Sequence, residues 1–253
     1  MITDKRQSQL HLARRLICLL LVVLVTATAP AIAFAQDGAT GGEQKTMIDV
    51  IIGGGVIGGI IILLSVAAVG LMIEHAISIR KGALIPEIPL LEVEELIQNN
   101  EIENAVDCCD AAGEDCLATA VIHAALIRYQ AAKFGFAEYK AAAEEAGEVY
   151  TSRLYRKTTG LALIAAIAPM LGLSGTVLGM IEAFNTIAAT GGLAKPDELA
   201  GGIGKALITT LMGLFVAMPA MVAVSFFRNR IDSLVAEAGK RVEQILLPLS
   251  GNR

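Results

Sequence analysis

The sequence has no tryptophan, few aromatic residues and few charged residues for its length. Its 253 residues include four Tyr, seven Phe and 18% charged side chains, whereas a soluble domain of ordinary composition has about 25% charged residues. A tryptophan belt at a membrane interface is therefore excluded. The net charge of −5 gives no electrostatic support for binding nucleic acid, and we expect no nucleic-acid partner.

Cysteine and histidine are also scarce. Three of the four cysteines fall in the stretch "DCCDAAGEDC" and the fourth is Cys18. A zinc site needs paired Cys-x-x-Cys ligands or added His ligands, and neither occurs at a useful spacing. We predict no metal site, no cofactor, and ordinary reduced thiols on a cytoplasmic helix.

Apolar residues are concentrated in three blocks, at 50–73, 160–181 and 206–227, that contain no Asp, Glu, Lys, Arg or His. Each block has more than the roughly 20 residues that a helix needs to cross about 30 Å of hydrocarbon. The sequence therefore predicts an all-α integral membrane protein with three transmembrane helices. Their predicted bounds are 48–79, 159–189 and 202–227.

The N-terminus has the features of a secretory signal. A basic region precedes the apolar run "LICLLLVVLV", and "AIAFAQ" offers a cleavage site after Ala35. We predict a signal peptide over 1–35 and a periplasmic tail over 36–47. The alternative is an uncleaved anchor helix, which also leaves the following residues outside the cytoplasm.

Basic residues flank the three blocks on one side, after the first, before the second and after the third. Under the positive-inside rule, this side is cytoplasmic. The predicted cytoplasmic parts are a helical domain over 80–158 and a C-terminal helix over 228–253. The predicted periplasmic turn is 190–201, so the N-terminus is periplasmic and the C-terminus cytoplasmic.

The cytoplasmic domain is predicted to be helical throughout. Its first part shows short amphipathic helices interrupted at Asn99–Asn100 and Gly113. The stretch from Phe136 lacks a strong breaker, so one long helix is predicted to enter the second span. The third span is predicted to continue into the cytoplasm, with one apolar stripe for helix packing made of Ile231, Leu234, Val235, Val242, Ile245 and Leu246.

Small residues recur at spacings of three and four in the second and third spans. They form one narrow face on each helix: Gly172, Gly175, Thr176, Gly179 and Ala183 on the second span, and Ala206, Thr210, Gly213, Ala217 and Ala220 on the third. These faces either pack tightly against neighbouring helices, with each threonine bonded to its own backbone, or line a cavity or clasp a partner helix.

Two threonines are predicted at a similar depth. Thr176 lies about 24 Å from Gly160, and Thr210 lies about 25 Å from Phe227 on the antiparallel helix, at 1.5 Å per residue. Thr209 is adjacent, about 100° around the helix. These three residues are the candidate ion-pathway residues.

The three blocks contain no titratable side chain in their interior, although proton pathways usually contain one. If the protein moves protons, another chain must therefore supply the carboxylate. Glu182 and Lys205 lie at the outer ends of the second and third spans and can pair across the hairpin.

Several stretches, in order, resemble the MotA/TolQ/ExbB proton-channel family. They are "LMIEHAISIRKGALIPE", "LIAAIAPMLGLSGTVLGMIEAF" and "LAGGIGKALITTLMGLFVAMPAMVAVSFFRNRID". One span precedes the large cytoplasmic segment, as in the ExbB/TolQ branch, whereas flagellar MotA proteins have two.

The resemblance implies a pentameric ring around a dimer of single-span ExbD/TolR/MotB-like partners, in the lipid of the bacterial inner membrane. The partner helix carries an aspartate that takes up and releases protons, and a TonB-like energy transducer can receive the work. Thr176 and Thr210 match the family's pore threonines. Lys205 stands where ExbB proteins often have Glu, so that residue's role does not transfer.

The resemblance therefore implies a proton-channel subunit without enzymatic activity that drives outer-membrane transport. Two alternatives stay open: a non-conducting membrane scaffold that organises envelope machinery, and a TolQ/MotA-type motor subunit with a different output.

Overall fold

The computed structural model describes residues 55–113, 116–131, 136–192 and 195–250. The predicted signal peptide, the predicted periplasmic tail and the first residues of the predicted first span lie outside the described residues. Every regular element in the described ranges is helical, in agreement with the all-α prediction. The elements are α1 Gly55–Ser78, α2 Lys81–Leu84, α3 Glu87–Gln98, α4 Ile102–Ala111, α5 Leu117–Ala131, α6 Phe136–Ala189, α7 Pro196–Leu246 and a 3-10 helix Leu247–Ser250.

Three of these helices are long enough and apolar enough to cross a membrane, namely α1, α6 and α7. Helix α6 has 54 residues and α7 has 51, which corresponds to about 80 Å for each. The predicted continuous helices through the second and third spans are therefore present. Pro169 and Pro219 lie inside them, as is tolerated in membrane helices whose freed backbone groups find other partners.

The chain divides into two compact units. The first unit contains the described residues up to Ser65 together with Ala166–Pro219. Its main feature is a helical hairpin, in which the turn after α6 includes Gly191 and Gly192 with φ of 61° and 89°. Because L side chains rarely adopt such φ values, glycine ends the helix here, and the Gly192 amide donates to the Ile187 carbonyl at 3.0 Å.

The second unit contains Val66–Ala165 and residues 220–250. In it, α4 packs against both α3 and α5. The two predicted interruptions are present: Asn100 has φ 62° between α3 and α4, and Gly113 has φ 85° after α4. These left-handed residues stop each helix and let the short helices fold back on one another.

The core of the second unit consists of large side chains. Fully buried residues include Ile122 and Leu126 of α5 and Leu161 of α6. The predicted apolar stripe on the end of α7 is also largely buried, with Val235 half-buried and the other members inside: Ile231, Leu234, Val242, Ile245 and Leu246.

Cys108, Cys109 and Cys116 are free thiols. Cys109 is buried, and this desolvation, followed by the nearby Cys108 and Asp110, raises its pKa to about 12. Because the thiolate is the reactive form, Cys109 is an inert core residue at neutral pH.

Candidate functional site

The hairpin of the first unit brings the backbones of α6 and α7 into direct contact through glycines. A Cβ on Gly172 would lie 3.0 Å from the Thr210 Cα and 3.1 Å from the Thr209 carbonyl oxygen. A Cβ on Gly213 would lie 2.5 Å from the Ala168 carbonyl oxygen and 3.2 Å from the Gly172 Cα. A Cβ at Gly213 has no room, and one at Gly172 fits only if the neighbouring backbone moves by a few tenths of an ångström.

The same close contact continues toward the turn. A Cβ on Gly175 would overlap the Thr209 side chain, and one on Gly179 would lie 2.7 Å from the Ala206 Cβ. Gly202 faces Ala183 in the same way, at 3.1 Å. The small residues of one helix therefore meet the small residues of the other.

This arrangement follows from the solvent. Lipid tails are as apolar as Leu, so helices in a membrane associate by close packing rather than by expelling water. Small residues at spacings of three and four give each helix a smooth face, and two such faces permit backbone contact. Ala183, Ala206 and Ala217 are accordingly buried, with 3%, 2% and 4% exposed.

Each candidate threonine donates its hydroxyl hydrogen to a backbone carbonyl. Thr210 Oγ1 donates across the hairpin to the Gly172 carbonyl at 3.0 Å. Thr209 is buried and donates to Ala206 in its own helix at 2.7 Å. Thr176 is half-buried and donates to Leu173 at 2.6 Å. Because a hydroxyl has one hydrogen and two lone pairs, the oxygens of Thr176 and Thr210 are left as acceptors.

The contacts also show the relative depth of the two threonine hydroxyls. Thr210 Oγ1 donates to the Gly172 carbonyl and Thr176 Oγ1 donates to the Leu173 carbonyl. These two carbonyls are successive along α6, with a rise of about 1.5 Å between them.

An ion pair lies near the turn end of the hairpin. Lys205 Nζ donates to Glu182 Oε2 at 3.2 Å. The pair borders a cavity of about 150 Å³ that is also lined by Gly175, Gly179, Leu178, Thr209 and the beginning of α1 (Gly55, Val56 and Ile57). This cavity is large enough for several water molecules, and its lining includes charged groups that can hydrogen-bond to them.

Two features of the site were not predicted from the sequence. The first is the contact of Gly202 with Ala183, which the spacing of Gly202 to Ala206 would have indicated had the stripe been extended beyond the span. The second is the contribution of α1 to the cavity, where a Cβ on Gly55 would lie 3.7 Å from the Lys205 Cε. No local pattern marks this contact, because the two residues are 150 positions apart.

The described part of the chain is thus a three-span, all-α membrane protein whose second and third spans form a tight hairpin. Between Ala166 and Ile181 and between Ala206 and Pro219, this hairpin contains no titratable side chain. A model of the MotA/TolQ/ExbB proton channel family matches residues 117–239.

Curated relatives carry names from the ExbB-like branch. The biopolymer transport protein exbB1 of Vibrio cholerae is 42% identical over 36% of this chain and 40% of its own length. The biopolymer transport protein ExbB of Xanthomonas campestris is 45% identical over 34% of each chain. An ExbB-like protein of Synechocystis is 34% identical over 59% of this chain and 64% of its own length. The matched segments therefore span less than two thirds of each of these relatives.

Proposed function

We propose that the protein is a proton-channel subunit of the bacterial inner membrane that converts proton-motive force into mechanical work for outer-membrane transport. The family match and the names of the relatives support this activity. In this proposal the chain forms a pentameric ring around a dimer of ExbD/TolR-like single-span partners. The N-terminus is periplasmic and the C-terminus cytoplasmic.

One observation carries the mechanism. The spans of the hairpin have no titratable group over Ala166–Ile181 and Ala206–Pro219, so the hairpin by itself has no residue that can relay protons through this part of the membrane. A carboxylate from the partner helix supplies it. The role of this chain is then to surround that carboxylate with a surface that accepts both of its protonation states.

The threonines suit this role. With their hydrogens donated to carbonyls, Thr176 and Thr210 offer acceptor oxygens that bind the proton of a neutral carboxylic acid. After the acid releases its proton, a hydroxyl that rotates away from its carbonyl can donate to the carboxylate.

Glu182, Lys205 and the cavity beside them form the outer mouth in this proposal. Lys205 occupies a position where ExbB proteins often have Glu, and its pairing with Glu182 at 3.2 Å partly neutralises the positive charge. Water in the cavity then connects the periplasmic surface to the level of Thr209.

The test is a double substitution, Thr176→Val with Thr210→Val, in the complex with its single-span partner. Valine keeps the shape and removes the hydroxyl, so we expect partner-dependent proton flux into proteoliposomes to fall about tenfold, which corresponds to roughly 1.4 kcal/mol in the barrier. Ser174→Ala is the matched control, because Ser174 is exposed and donates to Met170 in its own helix.

The two alternatives predict other results. A non-conducting scaffold gives no partner-dependent flux in the unsubstituted complex and unchanged envelope function in the double variant. For a TolQ/MotA-type motor, the double variant loses proton flux in the same way. Deletion of the protein from its host, however, leaves outer-membrane uptake intact.

A further inference from the structure

A groove runs along the cytoplasmic part of the second unit, between α6 and α7 and over the beginning of α5. Its volume is about 850 Å³. On α6 its lining extends from Tyr139 to Tyr155, which is a length of about 24 Å. All of its lining residues belong to the second unit.

The floor of the groove is apolar and its edge is acidic. The floor consists of small and aliphatic side chains: Leu117, Val121, Ala143, Val235, Val242 and Leu246. The charged residues of the lining are Lys140, Glu144, Glu148 and Glu243. Lys140 lies 4.0 Å from Glu144, whereas Glu148 and Glu243 form no ion pair with any described residue. The edge therefore has a net negative charge.

The length of the groove indicates the shape of the occupant. Its lining extends over about 24 Å of α6. A helix of about four turns has this length.

The charge of the edge and its place in the chain indicate the chemistry of the occupant. The groove ends at Tyr155, next to the basic residues Arg153, Arg156 and Lys157 that precede the second span. The cytoplasmic segments next to membrane spans are generally rich in Lys and Arg. Such a segment in another membrane protein lies at the same depth as the groove. Its positive charge complements the negative edge of the groove.

We propose that this groove binds a basic amphipathic helix, the cytoplasmic segment next to the span of a partner membrane protein. Apolar side chains at spacings of three and four fill the floor, and Lys or Arg residues beside them pair with Glu148 and Glu243. The inference takes from the proposed function only the cytoplasmic location of the groove. Its test does not depend on proton flow.

The first experiment measures binding of a fluorescent 18-residue peptide of Leu and Lys, arranged as a helix with one apolar face, to the full chain in nanodiscs of uncharged lipid. Two variants alter the groove. Gly239→Leu fills it, since no atom lies within 4 Å of a Cβ at Gly239, and the pair Glu148→Lys with Glu243→Lys reverses its edge. We expect each to weaken binding about tenfold.

Two matched controls make the same kinds of substitution at sites outside the groove. Gly82→Leu adds the same side chain at another cytoplasmic glycine with open space around it. Glu103→Lys with Glu145→Lys makes the same charge change at exposed residues outside the groove. Binding within about twofold of the unaltered chain is expected for both controls. Equal affinity in the groove variants, or equal loss in the controls, overturns the proposal.

The second experiment identifies the occupant. A photo-cross-linking residue replaces Gly239 in the native host, and the cross-linked peptide is sequenced by mass spectrometry. A basic peptide adjacent to the span of a different membrane protein supports the proposal. A peptide of this chain, a peptide of a soluble protein, or no cross-linked peptide overturns it.

Discussion

In the second unit, α5 buries Ile122 and Leu126 completely, whereas in the first unit α6 and α7 meet through glycine, alanine and threonine. The second unit thus fills its interior with large side chains. In the first unit, the backbones of two helices come into contact because the residues that face each other have small side chains or none. Its large residues, such as Leu173 and Leu211, are 63% and 48% exposed at the surface.

The difference reflects what each set of helices displaces when it packs. Helix α5 lies outside the three apolar spans. Burial of apolar area from water contributes about 25 cal/mol per Å², so large side chains stabilise its packing. In lipid this gain is absent, and helices are held by the number of atoms in contact. Side-chain volume therefore stabilises the packing of α5 and would separate α6 and α7 in the hairpin.

The largest effect is expected from removing volume in the second unit. Leu126→Ala leaves a cavity in a completely buried site and should lower the free energy of unfolding by about 2–5 kcal/mol. The adjacent Ile127 is 47% exposed, and Ile127→Ala should cost less than about 1 kcal/mol. Thermal unfolding of the full chain in detergent measures both. Equal losses would mean that α5 is not packed as described.

The opposite change should damage the first unit. Gly172→Ala and Gly213→Ala place a Cβ 3.0 Å or less from backbone atoms of the other helix, and each should cost about 1–3 kcal/mol. Gly204→Ala is the control, since a Cβ there meets no atom within 4 Å. It should be neutral or stabilise the helix by up to about 1 kcal/mol. Thermal unfolding in nanodiscs measures the stability of all three variants. Equal stabilities would contradict the close contact of α6 and α7 in the hairpin.

Much of the fold was predictable from local patterns. The uncharged blocks predicted three membrane-capable helices, and Asn99–Asn100 and Gly113 predicted where the short helices α3 and α4 end. The lack of a breaker after Phe136 predicted the continuous α6. These features depend on neighbouring residues, which the sequence shows directly.

The sequence alone did not show which surface each small-residue face contacts. Close helix packing and the lining of a narrow cavity both require Gly, Ala and Thr, so the composition of the stripe does not distinguish them. In the structure, the Thr210 hydroxyl is bonded to Gly172 across the hairpin, and this contact depends on the register of two helices. The groove of the second unit was not foreseen because its lining comes from three separate parts of the chain.

Ion pairs allow a smaller comparison between the units. In the second unit, Arg241 donates to Glu94 at 2.7 Å, with both side chains about two-thirds buried. A double-mutant cycle with alanine should give a coupling of about 1 kcal/mol. Glu182 and Lys205 in the first unit are more exposed and should couple by about 0.5 kcal/mol or less when stability is measured.

The pair in the first unit should instead be visible in function. Glu182→Lys alone leaves two cations at the proposed outer mouth, and we expect it to reduce proton flux. Adding Lys205→Glu restores one charge of each sign and should restore the flux. A double variant as impaired as the single one would count against a functional pair, whatever the stability measurements give.

The smallest effect concerns Tyr155 of the second unit, which lies just before the second span. Its hydroxyl donates to Asp232 on α7, and this hydrogen bond, followed by desolvation and the Asp232 charge, raises its pKa above the ordinary 10.0, while Arg228 acts in the opposite direction. A raised pKa means that the folded state holds the proton more tightly. The stabilisation is therefore complete below about pH 10 and is lost as the pH rises through the raised pKa.

Tyrosinate absorbance measures this shift directly. Subtracting the titration curve of Tyr155→Phe from that of the unaltered chain gives the titration of Tyr155 alone. The midpoint of this difference curve should be higher for the folded chain than for the chain in denaturant. Asp232→Asn removes the charge that opposes ionisation and should return the midpoint toward 10. An unshifted midpoint in the folded chain would show that α6 and α7 are not joined by this hydrogen bond, and the contrast between the two units would then rest on their side-chain volumes alone.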